Sequence, residues 1–115
     1  MQVKIYHNPR CSKSRQTLQL LREHHIDPEV VEYLHAPPDK TTLKKILKQL
    51  GLSPRDLMRQ KEDAYKQNHL DDPTLSDDQL IDAMLKYPKL IERPIVITDK
   101  GAAIGRPPEK VLEVL

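Results

Sequence analysis

Val3 and Ile5 alternate with polar neighbours at the start of the chain and predict a strand over 3–6 with one apolar face. Asn8-Pro9 breaks that alternation. Cys11 then opens a helical segment in which Leu18, Leu21 and the stem of Arg22 recur at i, i+3 and i+4, as far as about His24. Pro28 precedes a second strand, Glu29 to Leu34, which contains the β-branched pair Val30-Val31 and ends before Pro37-Pro38. From Thr41 to Leu50 the apolar positions Leu43, Ile46, Leu47 and Leu50 fall at i, i+3, i+4 and i+7, and Gly51 supplies the stop. Ser53-Pro54 predicts an N-cap and first turn for a helix through about Gln60. Ser76 caps a further helix carrying Leu80, Ile81, Met84 and Leu85 to Tyr87-Pro88. Pro94 to Ile97 reads as a buried strand, Asp99-Lys100-Gly101 as a turn, and Ala102 to Ile104 as its hairpin partner. Pro107-Pro108-Glu109 begins a terminal helix whose Val111, Leu112 and Leu115 share a face.

The predicted order is β-α-β, three helices, then β-β-α. That is the thioredoxin plan, an α/β fold with a mixed four-stranded sheet, here carrying a helical insertion at about 39–87. The first β-α-β requires a parallel pair and a right-handed crossover, and the Gly101 turn makes the last two strands antiparallel. A length of 115 residues fits a single domain, 1–115.

Composition narrows the class. Leu, Ile and Val supply the core, because the chain has no Trp or Phe and only four Tyr. No apolar run approaches the roughly 18 residues of a membrane span, and the start lacks the apolar stretch of a secretory signal. A soluble, cytoplasmic protein without a membrane partner is expected. With 19 Lys and Arg against 17 Asp and Glu, the net charge of +2 gives no footprint for nucleic acid. The charges do segregate: residues 1–25 hold five basic residues and one acid, whereas residues 62–82 hold seven acids and Lys66. Both stretches fit solvated surface, but the basic one contains the single cysteine.

A lone cysteine is commonly a small buried hydrophobe. Three features favour a nucleophile at Cys11. It stands where a loop becomes a helix, so unpaired backbone N–H groups and the helix dipole favour a thiolate. Arg10, Lys13 and Arg15 surround it. Ser14 lies three residues on, in a C-x-x-S sequence, placed for its hydroxyl to donate to the thiolate. Zinc is not indicated, since His7, His24, His25, His35 and His69 show no ligand spacing with one Cys. A C-x5-R phosphatase loop is excluded because Thr17 holds the arginine position, and no G-x-x-x-x-G-K signature is present. With one Cys, any adduct on Cys11 must be resolved by a thiol from outside.

Arg93 precedes Pro94, and Arg106 follows Gly105 and precedes Pro107, so both lie at strand or loop ends. Either is a surface arginine or a planar, bidentate group suited to a tetrahedral oxyanion. Arg59, near the end of its short helix, carries the same two readings. His7 is either a polar loop residue or a cationic neighbour that lowers the thiol pKa.

Taken together, Ile5-Tyr6-His7-Asn8-Pro9-x-Cys11-x-x-Ser14-Arg15, Leu57-x-Arg59, Glu92-Arg93-Pro94-Ile95-Val96 and Gly105-Arg106-Pro107-x-Glu109 resemble the glutaredoxin-coupled arsenate reductases from residue 3 to 115. The cationic Arg10 to Lys13 stretch and the end at Leu115 are similar to a short branch of that family. The resemblance implies that Cys11 attacks arsenate or a similar oxyanion, with His7 and Ser14 tuning its pKa. It further implies that Arg59, Arg93 and Arg106 bind the oxyanion. Glutathione as co-substrate and glutaredoxin as partner would complete reduction to arsenite, with no bound cofactor or metal and a monomeric chain. The thioredoxin plan also implies a cis bond before Pro94. The alternative is a thioredoxin-fold binding module of the RNA polymerase-associated redox regulator type. Ser14, in place of a second Cys, argues against that switch.

Overall fold

The computed structural model describes residues 2–115, which form two compact units: one comprises the described residues to Ala36 together with Arg93–Leu115, the other Pro37–Glu92. In the first unit, strand β1 (Lys4–Tyr6) is followed by helix α1 (Ser12–Glu23) and strand β2 (Glu29–Val31), and the chain returns as β3 (Ile95–Thr98) and β4 (Gly101–Ile104). The sheet order is β2-β1-β3-β4. β1 pairs with β2 in parallel, Ile5 opposite Val30, and with β3 antiparallel, Ile5 opposite Val96. The sheet is therefore mixed and the fold thioredoxin-like, as the order of elements predicts.

The apolar positions explain the layering. Val3 and Ile5 from the first strand, Val96 and Ala103 from the returning hairpin, Leu21 from α1 and Val111 and Val114 from the C-terminal segment make one buried cluster. That C-terminal segment, Pro108–Val114, is a 3₁₀ helix rather than the expected α-helix. Three residues per turn align i with i+3, so Val111 and Val114 are buried while Leu112 is left 39% exposed. On α1 the buried residues are Ser14, Thr17 and Leu21. The polar Ser14 and Thr17 thus take inward positions that hydrophobicity assigns elsewhere.

The second unit is helical: α2 (Lys40–Leu50), α3 (Pro54–Leu57), α4 (Asp63–Gln67) and α5 (Asp77–Lys86), then a 3₁₀ turn at Pro88–Leu90. Asp39 accepts the Thr42 N–H at 2.8 Å to start α2, and Gly51 ends it at φ 70, a left-handed conformation that glycine adopts without a Cβ clash. Ser76 and Gln79 form a reciprocal capping box at the start of α5. The helix expected to reach Gln60 stops at Leu57. Met58 turns extended and bridges to Ile91, with Arg59 N–H on Leu90 O at 2.7 Å and Glu92 N–H on Leu57 O at 2.9 Å. These long-range bonds compete with the helix ladder and win, because they satisfy backbone groups on two segments at once. α4 was not signalled by the sequence pattern. β2 likewise ends at Val31, short of the expected Leu34. Among the described residues no helix is long and apolar enough to cross a membrane.

Candidate active site

The register of the sheet places the site. Ile95 of β3 lies opposite both Ile104 of β4 and Tyr6 of β1. Arg93 therefore leaves the sheet two residues before that pairing and Arg106 two residues after it, at the edge where β1 runs into the loop before α1. Three side chains far apart in sequence meet there: Cys11, Arg93 and Arg106.

Cys11 is the N-cap of α1 in an extended conformation (φ −94, ψ 124), and no side chain caps the helix. The preceding loop is fastened by Asn8. Its carbonyl accepts the Cys11 N–H at 3.0 Å and its Oδ1 accepts the Arg10 N–H at 3.0 Å. Arg15 adds a bond from Nη1 to Pro9 O at 2.9 Å. Arg15 thus ties the loop down. With no cap competing, the open amides of the first turn are left to the sulfur. Burial is the largest single influence on the Cys11 thiol and raises its pKa. The backbone N–H of Ser14, a hydrogen bond and the charge from Arg93, and the N–H of Lys13 outweigh it, so the net shift is downward. This direction matches the thiolate expected at a helix N-terminus.

Arg106 Nη1 stands 3.9 Å from Cys11 Sγ and 3.3 Å from Arg93 O. At 3.9 Å the sulfur contact is near the outer limit of a hydrogen bond, and Arg106 is exposed, so water screens its charge. Arg93, half-buried, is the cation that acts most on the thiol. The bond before Pro94 is cis, as the thioredoxin plan implies, and so is the one before Pro107.

His7 and Ser14 are placed differently from expectation. His7 is buried, with Nδ1 2.6 Å from Ser14 Oγ, and burial holds its pKa below 6.5, against the opposing pull of Glu32. It is therefore neutral at pH 7, not a cation beside the thiol. Ser14 is fully buried, its hydroxyl oxygen accepting the Asn8 N–H at 3.0 Å while bonded to His7. The hydroxyl is engaged by Asn8 and His7, and Ser14 reaches Cys11 through its backbone N–H instead. The pair shapes the loop: it satisfies buried groups that would otherwise cost free energy.

Arg59 belongs to the second unit. Its Nε lies 3.2 Å from Glu62 Oε1 and its Nη1 3.1 Å from Glu92 Oε1. The three arginines are thus divided: Arg93 and Arg106 meet Cys11, and Arg59 is held by two carboxylates. Sequence reasoning missed Asn8 as the loop's anchor, although Asn-Pro ahead of a helix is a turn signal with a mechanism, the Asx bond to a backbone N–H two residues on. Among the described residues no group of three or more His, Cys, Asp or Glu is placed to hold a metal ion.

Fold and site define a thioredoxin-like protein that presents one thiol of lowered pKa to a pair of arginines. Residues 6–114 match the model of the ArsC family, and the chain belongs to that family. It is 61% identical to the uncharacterized protein YfgD of Escherichia coli K12, over 99% of this chain and 97% of that one. It is 52% identical to an arsenate reductase of Neisseria meningitidis serogroup B, over 99% of this chain and 98% of the relative. Among solved structures, the arsenate reductase from Vibrio cholerae superposes with a TM-score of 0.97 at 54% identity, covering 100% of this chain and 98% of that one.

Proposed function

We propose that the protein reduces arsenate to arsenite with Cys11 as the nucleophile. The observation that carries this reading is the meeting of a thiol at an uncapped helix N-terminus with Arg93 and Arg106. An anionic nucleophile and an anionic substrate repel each other, and two guanidinium groups beside the sulfur offset that repulsion where charge builds up. Relatives named arsenate reductase, at 44–52% identity, support the choice of oxyanion.

The steps follow from the single thiol. Cys11 thiolate attacks pentavalent arsenic, an S–As bond forms, and a protonated arsenate oxygen leaves as water. Glutathione then attacks: an S–S bond forms on Cys11, and the electron pair of the S–As bond stays with arsenic, which departs as trivalent arsenite. Glutaredoxin removes glutathione from Cys11 by thiol exchange and restores the thiolate. An outside thiol is required because the chain has one cysteine. Arg93 and Arg106 hold the oxyanion in this scheme. Arg59 contributes only if substrate displaces Glu62 or Glu92 from its guanidinium.

That pairing of Arg59 is the one observation favouring the alternative, a thioredoxin-fold binding module without reductase activity. Arsenate-dependent NADPH consumption with glutathione, glutaredoxin and glutathione reductase separates the two. The enzyme reading expects turnover that vanishes without glutathione. Turnover supported only by thioredoxin and its reductase refutes the coupling. No turnover with either system, at any arsenate concentration, refutes the enzyme.

A further inference from the structure

Gly105 lies between the end of β4 and Arg106. Its N–H donates to Pro94 O at 2.9 Å, and its carbonyl oxygen lies 3.4 Å from Thr17 Oγ1. A Cβ added to Gly105 would collide with Thr17 Oγ1 and stand 2.8 Å from Pro94 Cγ and 3.0 Å from Thr17 Cγ2. Atoms do not approach so closely, so any larger residue must push something aside. Thr17 cannot yield easily. It is fully buried on the helix that presents Cys11, and its hydroxyl donates to Lys13 O at 2.8 Å. Pro94, on the other side, is the residue that follows Arg93. Gly105 is thus pressed against the carrier of the thiol and against the neighbour of the first arginine, one residue before the second.

We propose that Gly105 is a positioning residue whose missing side chain seats the exit of β4 on Thr17 and Pro94, and that this seat sets how closely Arg93 and Arg106 approach Cys11. The inference rests on reading those two arginines as the oxyanion clamp. The seat matters because the Arg106 contacts, 3.9 Å to the sulfur and 3.3 Å to Arg93 O, are already long. A displacement of about 1 Å takes both outside hydrogen-bond range.

The test is Gly105→Ala in the full chain, alone and combined with Thr17→Ala, which removes Oγ1 and Cγ2 from the space the new methyl needs. Three quantities are read: the pH midpoint of Cys11 alkylation by iodoacetamide, the protection against alkylation given by arsenate, and the thermal midpoint. Retreat of a guanidinium from 3.9 Å to about 5 Å at an effective dielectric near 20 raises the alkylation midpoint by about 0.7 pH unit before solvent screening. Loss of one charged hydrogen bond weakens arsenate protection about tenfold. Thr17→Ala relieves two of the three contacts and leaves the one with Pro94 Cγ, so the double variant is expected to recover part of both. A single variant with the wild-type midpoint and protection, whatever its thermal midpoint, overturns the proposal, since the glycine would then serve packing alone. If the single variant does not fold, the double variant is compared with Thr17→Ala alone: a midpoint raised above that of Thr17→Ala, through the contact left with Pro94, supports the seat. A midpoint equal to that of Thr17→Ala, or a chain that still does not fold, overturns it. The alkylation midpoint needs no turnover, so it judges the seat even if wild-type protein neither reduces arsenate nor is protected by it; that result refutes the functional reading alone.

Discussion

Truncating Arg93 tests the link from geometry to chemistry most directly. Its guanidinium hydrogen-bonds the Cys11 sulfur and adds its charge, and it is half-buried, so water does not fully replace it. A hydrogen bond to a charged group contributes about 1.5–3 kcal/mol, whereas a bare Coulomb figure at about 4 Å and a dielectric near 20 reaches about 4 kcal/mol before solvent screening. The site's partial exposure favours the lower end. At 1.36 kcal/mol per pH unit, Arg93→Ala should raise the Cys11 midpoint by about one unit. The direction is fixed: removing a cation disfavours the thiolate, and at pH values below the midpoint the thiolate fraction falls by about tenfold. The assay is the rate of iodoacetamide alkylation against pH, with Arg93→Lys in parallel. Lysine keeps the charge and loses the planar fork, so it should recover part of the shift and little of the arsenate affinity. On the proposed mechanism the same guanidinium also holds the oxyanion, so Arg93→Ala should lower kcat/KM for arsenate further than the thiolate fraction alone. An alkylation midpoint that does not move in Arg93→Ala refutes the claim that this arginine activates the thiol. The two helix amides would then have to account for the whole effect.

Cys11→Ser should abolish arsenate-dependent NADPH consumption while leaving the circular dichroism spectrum intact; residual turnover would mean that another group attacks arsenic. Ser14→Ala leaves the Asn8 N–H and His7 Nδ1 buried without their partner and should cost about 1–3 kcal/mol in urea denaturation. It should barely move the alkylation midpoint, because the Ser14 backbone N–H is what touches the sulfur; a shift as large as that of Arg93→Ala would restore the hydroxyl as the tuning group. His7 gives a pH signature. Its folded pKa lies below 6.5, so the unfolded chain binds the proton more readily, and stability falls as pH drops below about 6.5 toward the folded pKa. Comparing thermal midpoints from about pH 7.5 to 5 in wild type and His7→Gln should show this component only in the wild type; identical slopes contradict it.

Much of the scaffold is local and was legible. Ser76 ahead of α5 and Gly51 after α2 are signals acting within a few residues, and each operates as read. The alternation around Ile5 and the hairpin at Gly101 set the strands, since a period of two admits one buried face. Placing Cys11 at a helix start needed only the Asn-Pro break and the helical run after it. Tertiary structure decided what required two distant segments. The helix after Ser53 ends at Leu57 because Met58 meets Ile91, and no local propensity encodes that pairing. His7 and Ser14 read as neighbours of the thiol, yet burial turned them toward each other, since a buried hydroxyl and imidazole must satisfy one another where water cannot. Arg59 found Glu92 across 33 positions. Arg106 reached Cys11 across 95 because strand register, and a glycine with no room for a side chain, brought two ends of the chain together. The sequence determined which groups are available for chemistry; only the packing of sheet against helix decided which of them face the sulfur.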